Sequence, residues 1–428
     1  MADKTLKSLN FGGADNYFPL PIVSTNDNDN ILVVADGEWV AKSPNDITGQ
    51  YVWSKKDSAD GPVTGYVISK DKEKYPDGGW SDGVFYKLEL GPILPSTYLS
   101  FLGNEDFTLK TGNATKNWDG TLEYSTNGST WNTWDGTEIS SSGNKLYLRG
   151  TGNTKIGGNG DKYKFVFTGT NALRIACEGN IENLLDYKTV SAGNHPTMAN
   201  NCYQRMFNGC TALTSAPELP ATTLANNCYS SLFSGCTSLT TPPELPATTL
   251  ANYCYKSMFE GCTSLTTVPS LPATTLANNC YYSMFEGCTS LTTPPELPVT
   301  TLAPQCYSYM FQNCTSLTTA PELPATTLNN ACYRNMFSGC TSLTTPPELP
   351  ATTLANYCYT NMFQGCTKIK LSTTKTGEYQ TAYRIPKSGT GTTGTNSLQN
   401  MFANTGGTFK GTPNINTTYY LSTSNTVV

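Results

Sequence analysis

Fifteen cysteines and one histidine are the side chains of this sequence whose type and spacing could support nucleophilic or metal chemistry. Fourteen of the cysteines fall into two series with a period of 26 residues, from Cys202 to Cys358 and from Cys210 to Cys366. Zinc sites need clustered Cys or Cys/His ligands, often in CxxC pairs, whereas the two cysteines of one repeat lie eight residues apart. His195 sits in a Gly-Asn-His-Pro stretch typical of an exposed loop. We therefore expect no metal, no cofactor and no histidine-dependent catalysis.

A regular row of carboxylates is the other candidate for chemistry, at the Pro-Glu-Leu-Pro position of the repeat: Glu218, Glu244, Glu296, Glu322 and Glu348. Neighbouring repeats about 5 Å apart would match the carboxylate separation of retaining glycosidases. However, each glutamate has the same surroundings, and Ser270 replaces it in one repeat. Nothing sets one carboxyl apart so as to raise its pKa, so we expect that the protein is not an enzyme.

Two interpretations of the cysteines stay open. They are buried small apolar residues that let neighbouring repeats approach closely, or they form disulfides between repeats. A disulfide within one repeat is not expected, because two helical turns would separate its cysteines by about 12 Å. The sequence starts without a secretory signal or a lipoprotein cysteine, and a cytoplasmic origin favours the reduced form.

The repeat itself predicts a solenoid. From Cys254, the apolar residues up to Leu265 fall on one stripe at 100° per residue, which indicates a helix. Gly261 ends that helix, and a short strand follows before Pro-x-Leu-Pro. One unit cannot bury this stripe alone, so stacked units should form a tyrosine ladder and a phenylalanine ladder. The members of these ladders are Tyr229, Tyr255, Tyr281, Tyr307 and Tyr333, with Phe233, Phe259, Phe285, Phe311 and Phe337.

The pattern MFxGCTSLTTxPELP resembles the BspA-type leucine-rich repeat over residues 200–370. The resemblance implies an α/β solenoid of 26-residue leucine-rich-repeat units. The strands here are richer in Thr and Pro than is usual for the family, which predicts short or irregular strands.

The remaining segments suggest five regions. Residues 1–45 form an extended attachment segment, in which Ile31–Val40 is a hairpin around Asp36-Gly37. Residues 46–92 are a turn-rich linker, and residues 93–170 a small all-β sandwich with alternating strands. Residues 171–370 are the array with its N-terminal cap, and residues 371–428 a capping region that begins with a degenerate repeat. The residues expected to make the attachment are Leu9, Phe11, Tyr17, Phe18, Leu20 and Pro21.

The amino-acid composition argues against two classes of protein, those that bind nucleic acid and those that span a membrane. Only 14% of the 428 residues are charged and the net charge is −5. No basic stripe exists, so we expect no nucleic-acid partner, and no run of about 18 apolar residues exists, so we expect no membrane span.

The whole arrangement resembles fibre or decoration proteins of crAss-like phages that infect Bacteroides-type bacteria. The Asn-Phe-Gly-Gly-x-Asp-Asn-Tyr start and the repeat block carry this resemblance. It implies a structural protein of the virion, a head or tail fibre assembled in the host cytoplasm. Its partners would be capsid or tail proteins, further copies of itself as a dimer or trimer, and a host surface glycan. The alternative is a bacterial surface adhesin of BspA type.

Positions that vary between repeats should face solvent, since packing fixes the core. They predict receptor or glycan contacts at Tyr253, Tyr282, Tyr309 and Tyr357. Trp131 and Trp134 of the β-region could stack on sugar rings or simply pack. Alternatively, these tyrosines bind nothing, and their positions vary because an exposed surface without a function tolerates substitution.

Overall fold

The structure is a computed structural model. It describes residues 8–10, 17–19, 31–35, 38–42, 51–56, 63–69, 79–81, 83–88, 98–158 and 163–423. The chain divides into two compact units, residues 1–96 and residues 97–428.

The first unit consists of short antiparallel strands: β1 (Ser8–Asn10), β2 (Tyr17–Pro19), β3 (Ile31–Ala35), β4 (Glu38–Lys42), β5 (Tyr51–Lys56), β6 (Val63–Ser69), β7 (Gly79–Ser81) and β8 (Val84–Leu88). Strand β1 pairs with β2, and β3 pairs with β4 with Ala35 opposite Glu38. The predicted hairpin around Asp36-Gly37 is therefore confirmed. Strands β5 to β8, within the region expected to be a turn-rich linker, form a four-stranded sheet in the order β6-β5-β8-β7. Of the attachment residues, Phe11, Leu20 and Pro21 lie outside the described residues.

The second unit begins with eight strands: β9 (Leu99–Gly103), β10 (Thr108–Thr111), β11 (Thr121–Ser125), β12 (Asn132–Trp134), β13 (Ile139–Ser140), β14 (Lys145–Thr151), β15 (Phe165–Thr168) and β16 (Ile175–Glu178). They form a three-stranded sheet, β13-β10-β15, and most of a six-stranded sheet, β12-β11-β14-β9-β16-β17. The two sheets face each other, because the Phe165 ring contacts both Phe101 and Trp134. Both sheets belong to the same compact unit as the repeats, and one hydrophobic core runs through all of them.

The sheet joins the array directly. Strand β17 (Leu213–Ser215) lies in the first repeat and pairs in parallel with β16. Helix α1 (Asn183–Ser191) follows β16 and buries Leu184 and Leu185. These elements cover the first repeat, as expected for an N-terminal cap.

The predicted helix of each repeat is wrong. Within the described ranges 98–158 and 163–423 the one α-helix is α1, and the Cys-to-Cys segment of every repeat is a run of overlapping turns. In the repeat that starts at Cys254, the N–H groups of Cys254, Met258 and Cys262 donate to the carbonyl three residues earlier. Lys256 and Glu260 donate in the same way, whereas the alternate N–H groups donate to the next repeat, for example Tyr255 N to Cys280 O at 3.0 Å.

The cause is an apolar period of four residues rather than 3.6. Tyr255 and Phe259 are one such pair, and Cys254, Met258 and Cys262 are the other series. On an α-helix each step of four would drift about 40° around the axis, whereas a four-residue turn repeat keeps both series on one face. The turns need a left-handed residue at every fourth position, and Tyr253, Ser257 and Gly261 have φ of 60°, 52° and 70°. A left-handed residue at this interval is incompatible with a continuous right-handed helix.

The stacking predicted for the aromatic residues is confirmed. Successive tyrosine rings from Tyr203 to Tyr359 lie 5.8–6.0 Å apart, and their planes are within 11° of parallel. Successive phenylalanine rings from Phe207 to Phe402 lie 5.4–5.8 Å apart. All of these rings are buried, so the apolar face was identified correctly even though its backbone was not.

All fifteen cysteines are free and buried. The second cysteine of each repeat has a specific partner: from Cys236 onward its thiol donates to the phenylalanine carbonyl of the preceding repeat, and Cys210 donates to Phe165 O of β15. Cys262 Sγ to Phe233 O and Cys288 Sγ to Phe259 O are both 3.1 Å. Burial raises the pKa of these thiols, that of Cys262 to about 12. Burial is thus confirmed, and each thiol supports the contact between repeats.

The C-terminal region closes the array. Phe402 stacks on Phe363 at 5.4 Å and occupies the place of an eighth repeat, as its degenerate motif predicted. A three-stranded sheet follows, β18-β20-β19, made of β18 (Leu371–Ser372), β19 (Tyr379–Arg384) and β20 (Thr418–Ser422). No helix among the described residues is long and apolar enough to cross a membrane.

Candidate functional site: a ridge of tyrosines and cations

A continuous line of aromatic and cationic side chains crosses four successive repeats: Tyr253, Lys256, Tyr282, Tyr309 and Arg334. We call these five residues the ridge. Lys256 Nζ lies 5.7 Å from the ring centre of Tyr253 and 5.2 Å from that of Tyr282. The rings of Tyr282 and Tyr309 are 5.2 Å apart and tilted by 46°, and Arg334 Cζ lies 5.9 Å from the Tyr309 ring. Each member therefore touches the next.

The turns of the repeat position the ridge on the surface. Its members stand one residue before, or two or three residues after, the first cysteine of a repeat. The adjacent core residues, such as Tyr255 and Met258, are buried in the ladders. Tyr253 is 37% exposed, one of the few large hydrophobic side chains so exposed among the described residues. The ridge is thus held by a packed core without being part of it.

Two ridge tyrosines occupy strained backbone positions. Tyr253 and Tyr309 have φ of 60° and 61°, in the left-handed region where Gly and Asn are favoured. Most other repeats place Asn or Ser at these two positions, for example Asn279 and Ser283, although Arg205 and Gln305 also occur there. Bulky residues at such positions often mark functional sites. The tyrosines are therefore not explained by backbone preference.

The charges of the ridge are unevenly compensated. Neither Lys256 nor Arg334 forms an ion pair among the described residues. Glu260 and Glu286 lie close enough to Tyr282 to affect its pKa. Burial raises the pKa of the Glu286 carboxyl, the nearby Glu260 adds to this, and a hydrogen bond with Ser283 opposes it. Burial also raises the pKa of Tyr282, with further effects from Tyr309 and Glu286. The cations remain available to an external partner.

The structure brings together three of the four predicted tyrosines. Tyr253, Tyr282 and Tyr309 belong to the ridge, whereas Tyr357 lies four repeats beyond Tyr253 at the same repeat position. Tyr357 has the same left-handed backbone, with φ of 58°. No described ring contact joins Tyr357 to the ridge. Tyr357 is therefore a natural control for the ridge.

The two predicted tryptophans differ in their exposure to solvent. Trp134 is only 2% exposed, stacks on Trp118 at 5.2 Å and donates Nε1–H to Thr137 O at 2.7 Å. As a surface contact this prediction is wrong, because the alternation of β12 points Trp134 between the two sheets. Trp131 stays near the surface, with the guanidinium of Arg149 at 4.0 Å from its ring centre.

A second surface feature is a cleft of about 410 Å³ beside Trp118, Asp119 and Lys155. Both carboxylate oxygens of Asp119 are already occupied, because they accept hydrogen bonds from Thr154 and Lys155. Burial alone would raise the pKa of Asp119, but these hydrogen bonds lower it below its usual value. The carboxylate thus ties two loops together.

The array that presents the ridge is similar in sequence to a known repeat family. Residues 182–318 and 285–383 match the family described as BspA type Leucine rich repeat region (6 copies). The repeats are BspA-like leucine-rich repeats. The matched ranges together cover slightly less than half of the chain. Comparisons with curated proteins and with solved structures found no match. BspA-like repeats suggest a role as a surface adhesin or in protein binding.

Outside the ridge, the BspA-like array carries its predicted glutamate row, from Glu218 to Glu348, on the exposed surface. Among the described residues, no group of three or more His, Cys, Asp or Glu could hold a metal ion. One contact was missed from the sequence: His195 Nδ1 lies 2.8 Å from Glu182 Oε2, and the Glu182 side chain is only 2% exposed. Thirteen residues separate the two, so no local spacing pattern indicated the pair.

Proposed function

We propose that the protein is a non-enzymatic recognition protein of adhesin type, in which the BspA-like array presents the ridge to a surface ligand. The observation that carries this proposal is the ridge itself. It places three tyrosines and two cations in one continuous line, at positions where most other repeats have Ser, Asn, Thr or Gln. Tyr and Arg are the residues that most often dominate recognition energy, and here a rigid scaffold orders them in advance.

We further propose that the array is displayed by a phage virion, as a head or tail fibre assembled in the cytoplasm of a Bacteroides-type host. The attachment segment would dock on capsid or tail proteins, and the fibre would be a homo-oligomer. The Asn-Phe-Gly-Gly start supports this, as do fifteen buried free thiols, which suit a chain folded in a reducing compartment. The second candidate is a bacterial surface adhesin, which the BspA-like repeats favour.

Binding of the labelled protein to a panel of Bacteroides-type cells tests the recognition role. We expect at least one strain to bind the wild-type protein and to lose most of this binding with the double variant Tyr282→Ser/Tyr309→Ser. Tyr357→Ser is the matched control, since this tyrosine is on the same array but outside the ridge. If both variants bind like wild type to every strain, the ridge is not a recognition surface.

Labelling with an antibody against residues 200–370 distinguishes display on a phage virion from display on a bacterial surface. We expect gold particles on phage virions, and loss of this label when residues 1–45 are deleted from a chain that remains folded. Label on intact uninfected bacterial cells would support the adhesin instead. Incorporation that is unchanged by the deletion would refute the attachment role of residues 1–45.

A further inference from the structure

We propose that the ridge binds a linear polysaccharide, with successive sugar rings placed on successive ridge residues. This inference rests on the recognition role proposed above and gives it a ligand class. The shared chemistry is that of pyranose rings with hydroxyl or carboxylate oxygens, which the experiments below distinguish.

The first argument is geometric. The steps along the ridge are nearly equal, at 5.7, 5.2, 5.2 and 5.9 Å between neighbouring members. The last three steps each cross from one repeat to the next, whose stacking holds the tyrosine ladder at 5.8–6.0 Å, whereas the first step lies within one repeat. Each step is comparable with the length of one sugar unit in an extended chain. A periodic polymer that runs along the array can therefore meet a ridge residue at each of four successive repeats.

The second argument is chemical. Tyrosine offers an apolar ring face for the C–H groups of a sugar and a hydroxyl group for its oxygens. Lys256 and Arg334 lie towards the two ends of the ridge and have no carboxylate partner among the described residues. They can donate hydrogen bonds to sugar hydroxyl or uronate oxygens. Glu260 and Glu286, which lie near Tyr282, can accept hydrogen bonds from sugar hydroxyl groups. Stacking and polar contacts thus occur along a single line.

The shape of the ridge argues against a folded protein as the ligand. Stable protein interfaces bury about 800 Å² on each partner around a desolvated, apolar centre. The ridge is one side chain wide. Short residues such as Ser257, Ser283 and Asn335 alternate with its members and are buried in the array, so they add little exposed surface beside the ridge. A narrow polar and aromatic track suits a chain of sugars better than a globular surface.

The test starts from a strain that binds the wild-type protein through the ridge. Its cells are treated either with periodate, which cleaves vicinal diols of sugars, or with a broad-specificity protease. We expect periodate to abolish ridge-dependent binding and protease to leave it unchanged. The opposite pattern would refute the polysaccharide and keep the recognition role, with a protein as its ligand. If no strain shows ridge-dependent binding, both proposals fail.

Polysaccharide extracted from the same strain provides the direct measurement. We expect it to bind the full-length protein, with affinity at least tenfold weaker for Tyr282→Ser/Tyr309→Ser and within twofold of wild type for Tyr357→Ser. Equal affinity of all three proteins would overturn the assignment. Circular dichroism must show that both variants are fully folded at the assay temperature, so that unfolding cannot explain the loss.

The same polysaccharide after chemical reduction of its carboxyl groups distinguishes acidic from neutral recognition. If uronates contact the cations, reduction should weaken binding by the wild type at least fivefold and have little effect on Arg334→Gln/Lys256→Gln, which has lost both cations. If hydroxyl groups are the acceptors, reduction should leave wild-type binding unchanged while Arg334→Gln still weakens it. A full-affinity Arg334→Gln/Lys256→Gln variant would contradict any role of the cations.

Discussion

Phe285 and Tyr282 lie three residues apart in one repeat, and the structure assigns them opposite roles. Phe285 is fully buried between Phe259 at 5.6 Å and Phe311 at 5.7 Å. Tyr282 is half-buried on the ridge. If core and ridge are separable, replacing each by alanine should give very different losses of stability.

The expected loss for Phe285→Ala is about 4 kcal/mol in the free energy of unfolding. Phenylalanine-to-alanine changes in protein cores cost about 3–5 kcal/mol, and two stacked neighbours, each worth about 0.5–1.5 kcal/mol, put this site in the upper half of that range. Tyr282→Ala should cost about 1 kcal/mol, because it leaves no closed cavity and loses one ring contact and one cation contact.

Urea unfolding followed by tyrosine fluorescence measures both changes. With a slope of about 2 kcal/mol per molar urea, the midpoint should fall by about 2 M for Phe285→Ala and about 0.5 M for Tyr282→Ala. Each repeat contacts only its neighbours, so a change in the slope would show that the array no longer unfolds as one unit. Equal losses for the two variants would refute the separation of core and ridge, and with it the argument that the ridge can be altered without harm to the fold.

Three further measurements test other parts of the structure. In the native protein the thiols should react very slowly with a thiol reagent at pH 8, because burial raises their pKa values, and about fifteen should react in denaturant; seven disulfides in place of fourteen thiols would contradict this. Burial raises the pKa of Glu182 above its ordinary 4.5, despite the hydrogen bond and charge of His195. The folded state therefore holds this proton more tightly, and stability should fall as the pH rises above 4.5, an effect that Glu182→Gln should remove. Far-ultraviolet circular dichroism should show very little helix, since α1 covers only nine residues; a strongly helical spectrum would restore the helical repeat.

The sequence by itself determined the period, the buried face and the two aromatic ladders. Residues such as Tyr255 and Phe259 recur every 26 residues, and a side chain repeated at that interval must stack on its own copies in a solenoid. Likeness to the repeat motif placed Phe402 in a closing repeat. The turn preference of Asp-Gly identified Asp36-Gly37 as a hairpin turn. Surface variation also indicated three of the ridge tyrosines, because packing leaves only exposed positions free to change.

Only the tertiary structure determined which backbone conformation places these apolar residues on one buried face. Apolar periods of 3.6 and 4 differ little over the eight residues from Cys254 to Cys262, so a helix and a run of turns are hard to tell apart in a sequence. The choice depends on hydrogen bonds to the next repeat, such as Tyr255 N to Cys280 O, which no single repeat contains. For the same reason Trp134 and Trp131 looked equivalent until the two sheets were placed face to face. The continuity of the ridge likewise arises between repeats, where residues about 26 positions apart become neighbours.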